Sequence, residues 1–157
     1  MKTFERIVAA TDFTPASRPV LDEAERIARE CGAQLLIVHA YQVPAVGELA
    51  QEPAGVHDDF VRAVRGAAEP RLAMLVAQAR SRGIDARALL REGFADDEIL
   101  DAARRERADL IVVGTHGRRG VSRMLVGSVA WQVVSRSACP VMTVPSGPSR
   151  ATRSARA

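Results

Sequence analysis

The feature that most constrains this chain is the run Leu110-Ile111-Val112-Val113, apolar at every position and followed at once by Gly114. A strand in a sheet with one wet face alternates apolar and polar residues. A strand with no polar position must be covered on both faces, which is the habit of parallel sheets. Parallel neighbours cannot be joined by a hairpin, so helical crossovers must cover the sheet. Beyond the run, Gly114 and Gly117 precede a loop with Arg118, Arg119 and Arg123. Gly127-Ser128 then open a segment of helical spacing that sets Val129 and Val133 on one face. Glycines let backbone approach a ligand closely, and a helix N-terminus offers unbonded N–H groups with a partial positive charge. Strand, glycine loop and helix start together make an anion site, with phosphate as the usual anion. A small nucleotide-binding domain is the expectation.

The rest of the chain repeats the strand-then-helix pattern. Arg6 to Thr11 reads as a first buried strand ending at Asp12. A helix starts at Thr14-Pro15 or at Ser17-Arg18-Pro19, a hydroxyl followed by proline in the first turn. Val20, Leu21, Ala24, Ile27, Ala28 and Cys31 recur at helical spacing, and Gly32 stops the element. Residues 34–40 form a second buried strand. Residues 41–57, with two prolines and two glycines, read as a loop. A helical pattern then runs from Asp58 to Arg82, and Pro70 predicts a kink or break near Glu69. Residues 84–91 alternate, as an edge strand does. Ala95 to Arg107 form a short helix, acidic in its first turn and basic in its last, as the helix dipole favours. Residues 139–144 are the fifth strand, where Pro140 suits an edge or a strand start. The alternation predicts one α/β domain over 1–145, with helices on both faces of an open parallel sheet. Residues 146–157, rich in Ser, Pro and Arg, are expected to be a disordered basic tail.

Composition narrows the function classes. The chain has 157 residues, 47% hydrophobic but only 4% aromatic, so its single core must be aliphatic. Its net charge of +3 is carried by Arg150, Arg153 and Arg156 of the tail, which leaves the remainder balanced. Nucleic-acid binding is therefore not expected. Cys31 and Cys139 have no metal-ligand spacing and read as a buried, reduced pair. The start of the chain enters a strand directly, and no apolar run approaches membrane-spanning length. A cytoplasmic protein without membrane contact is the expectation.

With the strands placed, a family resemblance becomes visible. Gly114-Thr115-His116-Gly117, nine residues, then Gly127-Ser128 resembles the G-x-x-G-x9-G-[S/T] signature of the nucleotide-binding branch of the universal stress protein family. Asp12, within Val8-Ala9-Ala10-Thr11-Asp12-Phe13-Thr14, is similar to the family's opening motif, and residues 139–145 resemble its closing strand. The resemblance spans about residues 3–145. It implies a Rossmann-like five-stranded parallel sheet of order 3-2-1-4-5, similar to the adenine nucleotide alpha hydrolases. Strands one and four are then neighbours across a topological switch point, where open α/β sheets bind ligands. It also implies ATP, or ADP or AMP, as ligand, with Mg²⁺ or Mn²⁺ carried on the phosphates, and a homodimer paired through strand 139–144.

The residues that carry this expectation are Asp12, Val38, Gly114, His116, Gly117, Arg118, Arg119, Gly127, Ser128 and Val129. The N–H groups of Ser128, Val129 and Ala130, with the Ser128 hydroxyl, suit phosphate oxygens. Of the loop arginines, one is expected to reach the outer phosphates while the others are solvated. His116 either packs on ribose or phosphate or has no role. Asp12 resembles the family's adenosine-side acid, and it equally suits a helix cap. Val38, at the end of strand two, corresponds to the family's adenine-side apolar position, and by its pattern it is a core valine. The sole lysine is Lys2, so a P-loop lysine is absent and efficient ATPase chemistry is not expected. A stress-response module that holds an adenine nucleotide is the first expectation. A slow ATP hydrolase or phosphotransfer enzyme is the second, and a nucleotide-free dimer partner the third.

Overall fold

The structure, a computed structural model, describes residues 3–44, 53, 55–115 and 127–145. Five parallel strands form one sheet: β1 (Arg6–Ala10), β2 (Gln34–Tyr41), β3 (Ala86–Glu92), β4 (Leu110–Gly114) and β5 (Val141–Val144). Their order is β3-β2-β1-β4-β5, the order expected. The wholly apolar runs occupy the centre. β1 sets Ile7, Val8 and Ala9 beside Leu35, Leu36 and Ile37 on one side and Leu110, Ile111 and Val112 on the other. Side chains of a strand alternate between faces, so these runs feed two separate cores. Ile7, Ala9, Leu35, Ile37, Leu110 and Val112 pack with helices α1 (Arg18–Cys31) and α2 (Val56–Ser81). Val8, Leu36, Val38, Ile111 and Val113 pack with α3 (Ala95–Arg105) and α4 (Ser128–Arg136). Each fully buried Leu, Ile or Val side chain contributes about 1.5–3 kcal/mol, and the near absence of aromatics leaves these aliphatics to supply the core.

Both expected starts of the first helix exist: a 3-10 turn at Pro15–Ser17, then α1 from Arg18 with Pro19 in its first turn. Gly32, at φ 63°, closes α1 by donating its N–H back toward Ala28 and Arg29. The edge strands are the two whose sequences are least uniformly apolar, β3 and β5. Cys31 and Cys139 are free thiols and pack against different cores, on opposite faces of the sheet.

Two expectations need correction. Pro70 does not break its helix: α2 is continuous from Val56 to Ser81. The hydrogen bond that Pro70 cannot donate belongs to Gly66 O, and both residues lie on the exposed face, where that carbonyl is open to solvent. The buried stripe Ala68, Leu72, Val76 and Ala79 pins the helix on either side. Cys31 and Cys139 are half-buried where burial was expected. On α4, Ala130 and Val133 are buried and Val129 is 37% exposed, the buried stripe running i, i+3 from the third residue of the helix. Among the described residues no helix is long and apolar enough to cross a membrane. The basic tail, 146–157, lies outside the described residues.

Candidate functional site

Gly114 ends β4 opposite Val144 of β5. The next residue, Thr115, joins three elements: its N–H donates to Val144 O (3.0 Å), and its carbonyl accepts from Gly127 N–H (2.6 Å). That second bond fixes where α4 begins, and buried Ala130 and Val133 fix how α4 lies on the sheet. Gly127 is the N-cap residue, extended at φ −59° and ψ 155°, and no side chain caps the helix. The first intrahelical bond is Trp131 N–H to Gly127 O (3.0 Å). No described residue accepts from the N–H groups of Ser128, Val129 and Ala130. The end of the sheet thus presents three donors that no described residue accepts, and the positive end of a helix dipole.

β1 leaves the sheet beside β4. Ala9 pairs with Val112, so Asp12 and Thr115 emerge together, three residues further along each chain. Here the chain turns sharply. The Asp12 carboxylate accepts from Thr14 N–H (2.9 Å) and Thr14 Oγ1–H (2.6 Å). These bonds close a local turn ahead of the 3-10 helix and cap neither that helix nor α1, which carry no side-chain cap, so the helix-cap alternative for Asp12 is not met. Between them Phe13 adopts φ 62°, the left-handed region, which costs a bulky residue about 1–2 kcal/mol. Its N–H donates to Thr11 Oγ1 (3.1 Å). Its ring lies 4.0 Å from that of His39, centroid to centroid, and 4.4 Å below the Arg71 guanidinium. His39, nearly buried, donates its Nδ1–H to Thr11 O (2.8 Å).

Val38 does not end its strand. β2 runs on to Tyr41, and Val38 is buried in the α3/α4 core with its carbonyl accepting from Thr11 N–H (2.9 Å). The residues that β2 does bring to the open end of the sheet are His39, Ala40 and Tyr41. With Asp12, Phe13 and Arg71 they line a cleft of about 570 Å³, closed on one side by α2 and on another by Gly93 and Ala95. That volume suits a small ligand. Burial pushes the Tyr41 phenol above its ordinary pKa, and the neighbouring Glu92 carboxylate adds to the rise. A larger hollow, about 760 Å³, lies along α3 and the end of α4. Five of its charged side chains are already paired: Asp101 with Arg104 and Arg105, and Arg136 with Asp97 as well as with Asp96. The smaller cleft is the better candidate because it stands at the carboxyl ends of the strands, beside the switch point.

Of the ten residues predicted from sequence, the structure brings Asp12, Gly114, Gly127, Ser128 and Val129 to the carboxyl end of β1 and β4. It places Val38 in the core. His116, Gly117, Arg118 and Arg119 lie outside the described residues. Sequence reasoning missed Phe13, Ala40, Tyr41 and Arg71. Phe13 and Arg71 meet only through the fold, since 57 positions separate them. Ala40 and Tyr41 were legible in principle: the apolar run of β2 does not stop at Val38.

Fold and site together define a doubly wound α/β domain whose ligand cleft opens at a strand-order reversal. The chain belongs to the universal stress protein family, whose model matches residues 3–145. It is 35% identical over 141 residues to a universal stress protein of Thermus aquaticus, covering 90% of this chain and 98% of that one. The solved structure of hypothetical protein MJ0577 superposes with a TM-score of 0.80 at 19% identity, covering 92% of this chain and 98% of that chain. A universal stress protein solved in complex with cAMP superposes with a TM-score of 0.64 at 25% identity, covering 92% and 98%.

Proposed function

We propose that this universal stress protein binds an adenine nucleotide, ATP or its ADP or AMP relatives, across the ends of β1 and β4. The observation that carries this is the start of α4: three N–H groups that no described residue accepts, fixed to β4 through the Gly127–Thr115 bond, beside a cleft of nucleoside size. The phosphates sit on the N–H groups of Ser128 to Ala130, and Gly117, Arg118, Arg119 and His116 supply the loop over them. Mg²⁺ or Mn²⁺ travels with the phosphates. Asp12 faces the adenosine end, where Ala40 and Tyr41 replace Val38 as the strand residues nearest the base. The cAMP-bound relative supports an adenine ligand in this fold.

The same geometry favours holding the nucleotide over consuming it. Among the described residues Asp12 is the one carboxylate at this end of β1, and it is engaged in a turn. The protein then works as a regulatory module whose state depends on the nucleotide, paired as a homodimer through β5. The test is the mass of the nucleotide that co-purifies with the protein, followed by a thermal shift with Mg-ATP, Mg-ADP and AMP. A bound adenine nucleotide at a hundredfold over its Kd raises stability by about 2.7 kcal/mol. No co-purifying nucleotide and no shift with any of the three refutes the reading.

A further inference from the structure

The turn after β1 is held by residues from three separate parts of the chain. From within come the Asp12 bonds to Thr14 and the Thr11 bond to Phe13 N–H. From β2 comes His39, stacked on Phe13 and bonded to Thr11 O. From α2 comes Arg71, which does two things at once: its Nη2–H donates to Phe13 O (3.0 Å), and its guanidinium covers the Phe13 ring at 4.4 Å. A residue in a disfavoured backbone region persists only where its surroundings over-determine it, and such positions gather at ligand sites. Phe13 at φ 62° is one of two non-glycine residues with positive φ among the described residues, and the only one lining this cleft.

We infer that Arg71 is a positioning residue for the nucleoside end of the cleft. It holds the strained Asp12–Phe13–Thr14 turn, so that the Asp12 carboxylate keeps its direction, and it ties that turn to α2. The tie matters because the first three turns of α2, before Ala68, carry no buried residue. Val64, Ala67, Ala68 and Arg71 nonetheless form one wall of the cleft. Nucleotide affinity is thereby coupled to where that wall stands. The inference rests on the adenine-nucleotide reading, and its test separates the two.

The experiment compares the wild type with Arg71→Met and Arg71→Lys, each also in a Phe13→Gly background. Methionine keeps an apolar stem but removes the charge and the donors. Glycine adopts the left-handed turn without strain, so a protein carrying it has no need of the clamp. ATP affinity is read by calorimetry, and exchange of the Phe13 and Thr14 amides is read by NMR without ligand. Arg71→Met is expected to weaken ATP binding about five- to tenfold, below the full worth of a cation–π contact and a charged hydrogen bond because Arg71 is exposed and acts on the ligand only through the turn. It should speed exchange of the two amides by a similar factor, and Arg71→Lys should restore part of both. In the Phe13→Gly background, where only the bond to the residue 13 carbonyl is left to lose, Arg71→Met should change both much less. Unchanged amide exchange overturns the clamp, whatever the ligand. Equal loss of affinity in both backgrounds makes Arg71 a direct ligand contact and overturns the positioning role. Amide exchange that responds as expected in a protein that binds no ATP, ADP or AMP refutes the proposed function alone.

Discussion

Ser128→Pro separates the anion site from the helix that makes it. Ser128 is the first residue of α4, and no described residue accepts its N–H. Proline at that position removes a donor the helix does not use, and its fixed φ suits a first turn. The residue before a proline is pushed to extended backbone, and Gly127 is already there at ψ 155°. Ser128 is exposed, so the ring has room. Folding stability without ligand should therefore change by less than about 0.5 kcal/mol.

Binding should behave differently. A hydrogen bond to a charged group is worth about 1.5–3 kcal/mol, so losing the Ser128 N–H raises Kd roughly 10- to 150-fold. At a nucleotide concentration a hundredfold over the wild-type Kd, ligand stabilisation falls from about 2.7 to between about 1.3 and 0.3 kcal/mol. In a domain of this size each kcal/mol moves Tm by about 2–4 °C. The wild type should gain about 5–10 °C with Mg-ATP and the variant about 1–5 °C. Ser128→Ala, which loses only the hydroxyl, is the control, and the difference between the two variants isolates the N–H. A proline variant that binds ATP as the wild type does would refute the assignment of phosphate to the start of α4. A variant that loses more than about 1 kcal/mol without ligand would show that the helix does use that donor.

Three further outcomes are expected. Pro70→Ala restores the missing bond to Gly66 O; the helix gain of about 3 kcal/mol, less up to about 1 kcal/mol for a freer unfolded chain, should raise stability by about 2 kcal/mol, seen as a higher urea midpoint with an unchanged slope. For Asp101, burial pushes the carboxyl pKa up, but hydrogen bonds from Arg105 and Arg104 outweigh it and hold the group below its ordinary 3.8. A depressed carboxylate stabilises the fold fully above its unfolded pKa and loses that contribution as pH falls through the folded one, so Asp101→Asn should cost about 0.5 kcal/mol at pH 7, with the difference closing below about pH 4. The third concerns the proposed homodimer: Ile111 N–H bonds Pro140 O and Thr115 N–H bonds Val144 O, so β5 turns its even-numbered residues toward β4 and the N–H of Thr143 outward. Thr143→Pro, allowed on an edge strand, should leave the monomer folded and shift the protein from dimer to monomer in sedimentation.

What was legible in the sequence follows from which signals are local. Leu110 to Val113 carry burial on both faces in four consecutive letters, and from that the parallel sheet, the crossovers and the two cores all follow. Gly32 after a helical stripe is legible for the same reason: the stop and the thing stopped are neighbours. The misreadings arise where a second element decides. Pro70 looked like a break because the pattern does not reveal that its partner carbonyl, at Gly66, faces water. Val38 was placed at a strand end because the switch from core to cleft depends on how far β2 outruns β1. β1 ends at Ala10, opposite Val38, while β2 continues for three more residues beside β3.

That stagger explains why the cleft exists. Between a long β2 and a short β1, the sheet leaves a step, and the chain must turn within it. The step is lined on one side by Ala40 and Tyr41 and roofed by α2, while the turn itself carries Asp12 and Phe13. A flush sheet would give Phe13 no reason to leave extended backbone and Arg71 no carbonyl to reach. The glycine motif announces an anion site at β4, but the shape of the site's other half is set by a difference in strand length. Fixing the step therefore needs contacts that are distant in sequence, and the 57-residue reach from Phe13 to Arg71 is the one that joins the turn to α2. Specificity for the base should accordingly follow substitutions at Phe13, Ala40, Tyr41 and Arg71, while affinity for the phosphates follows substitutions at the start of α4.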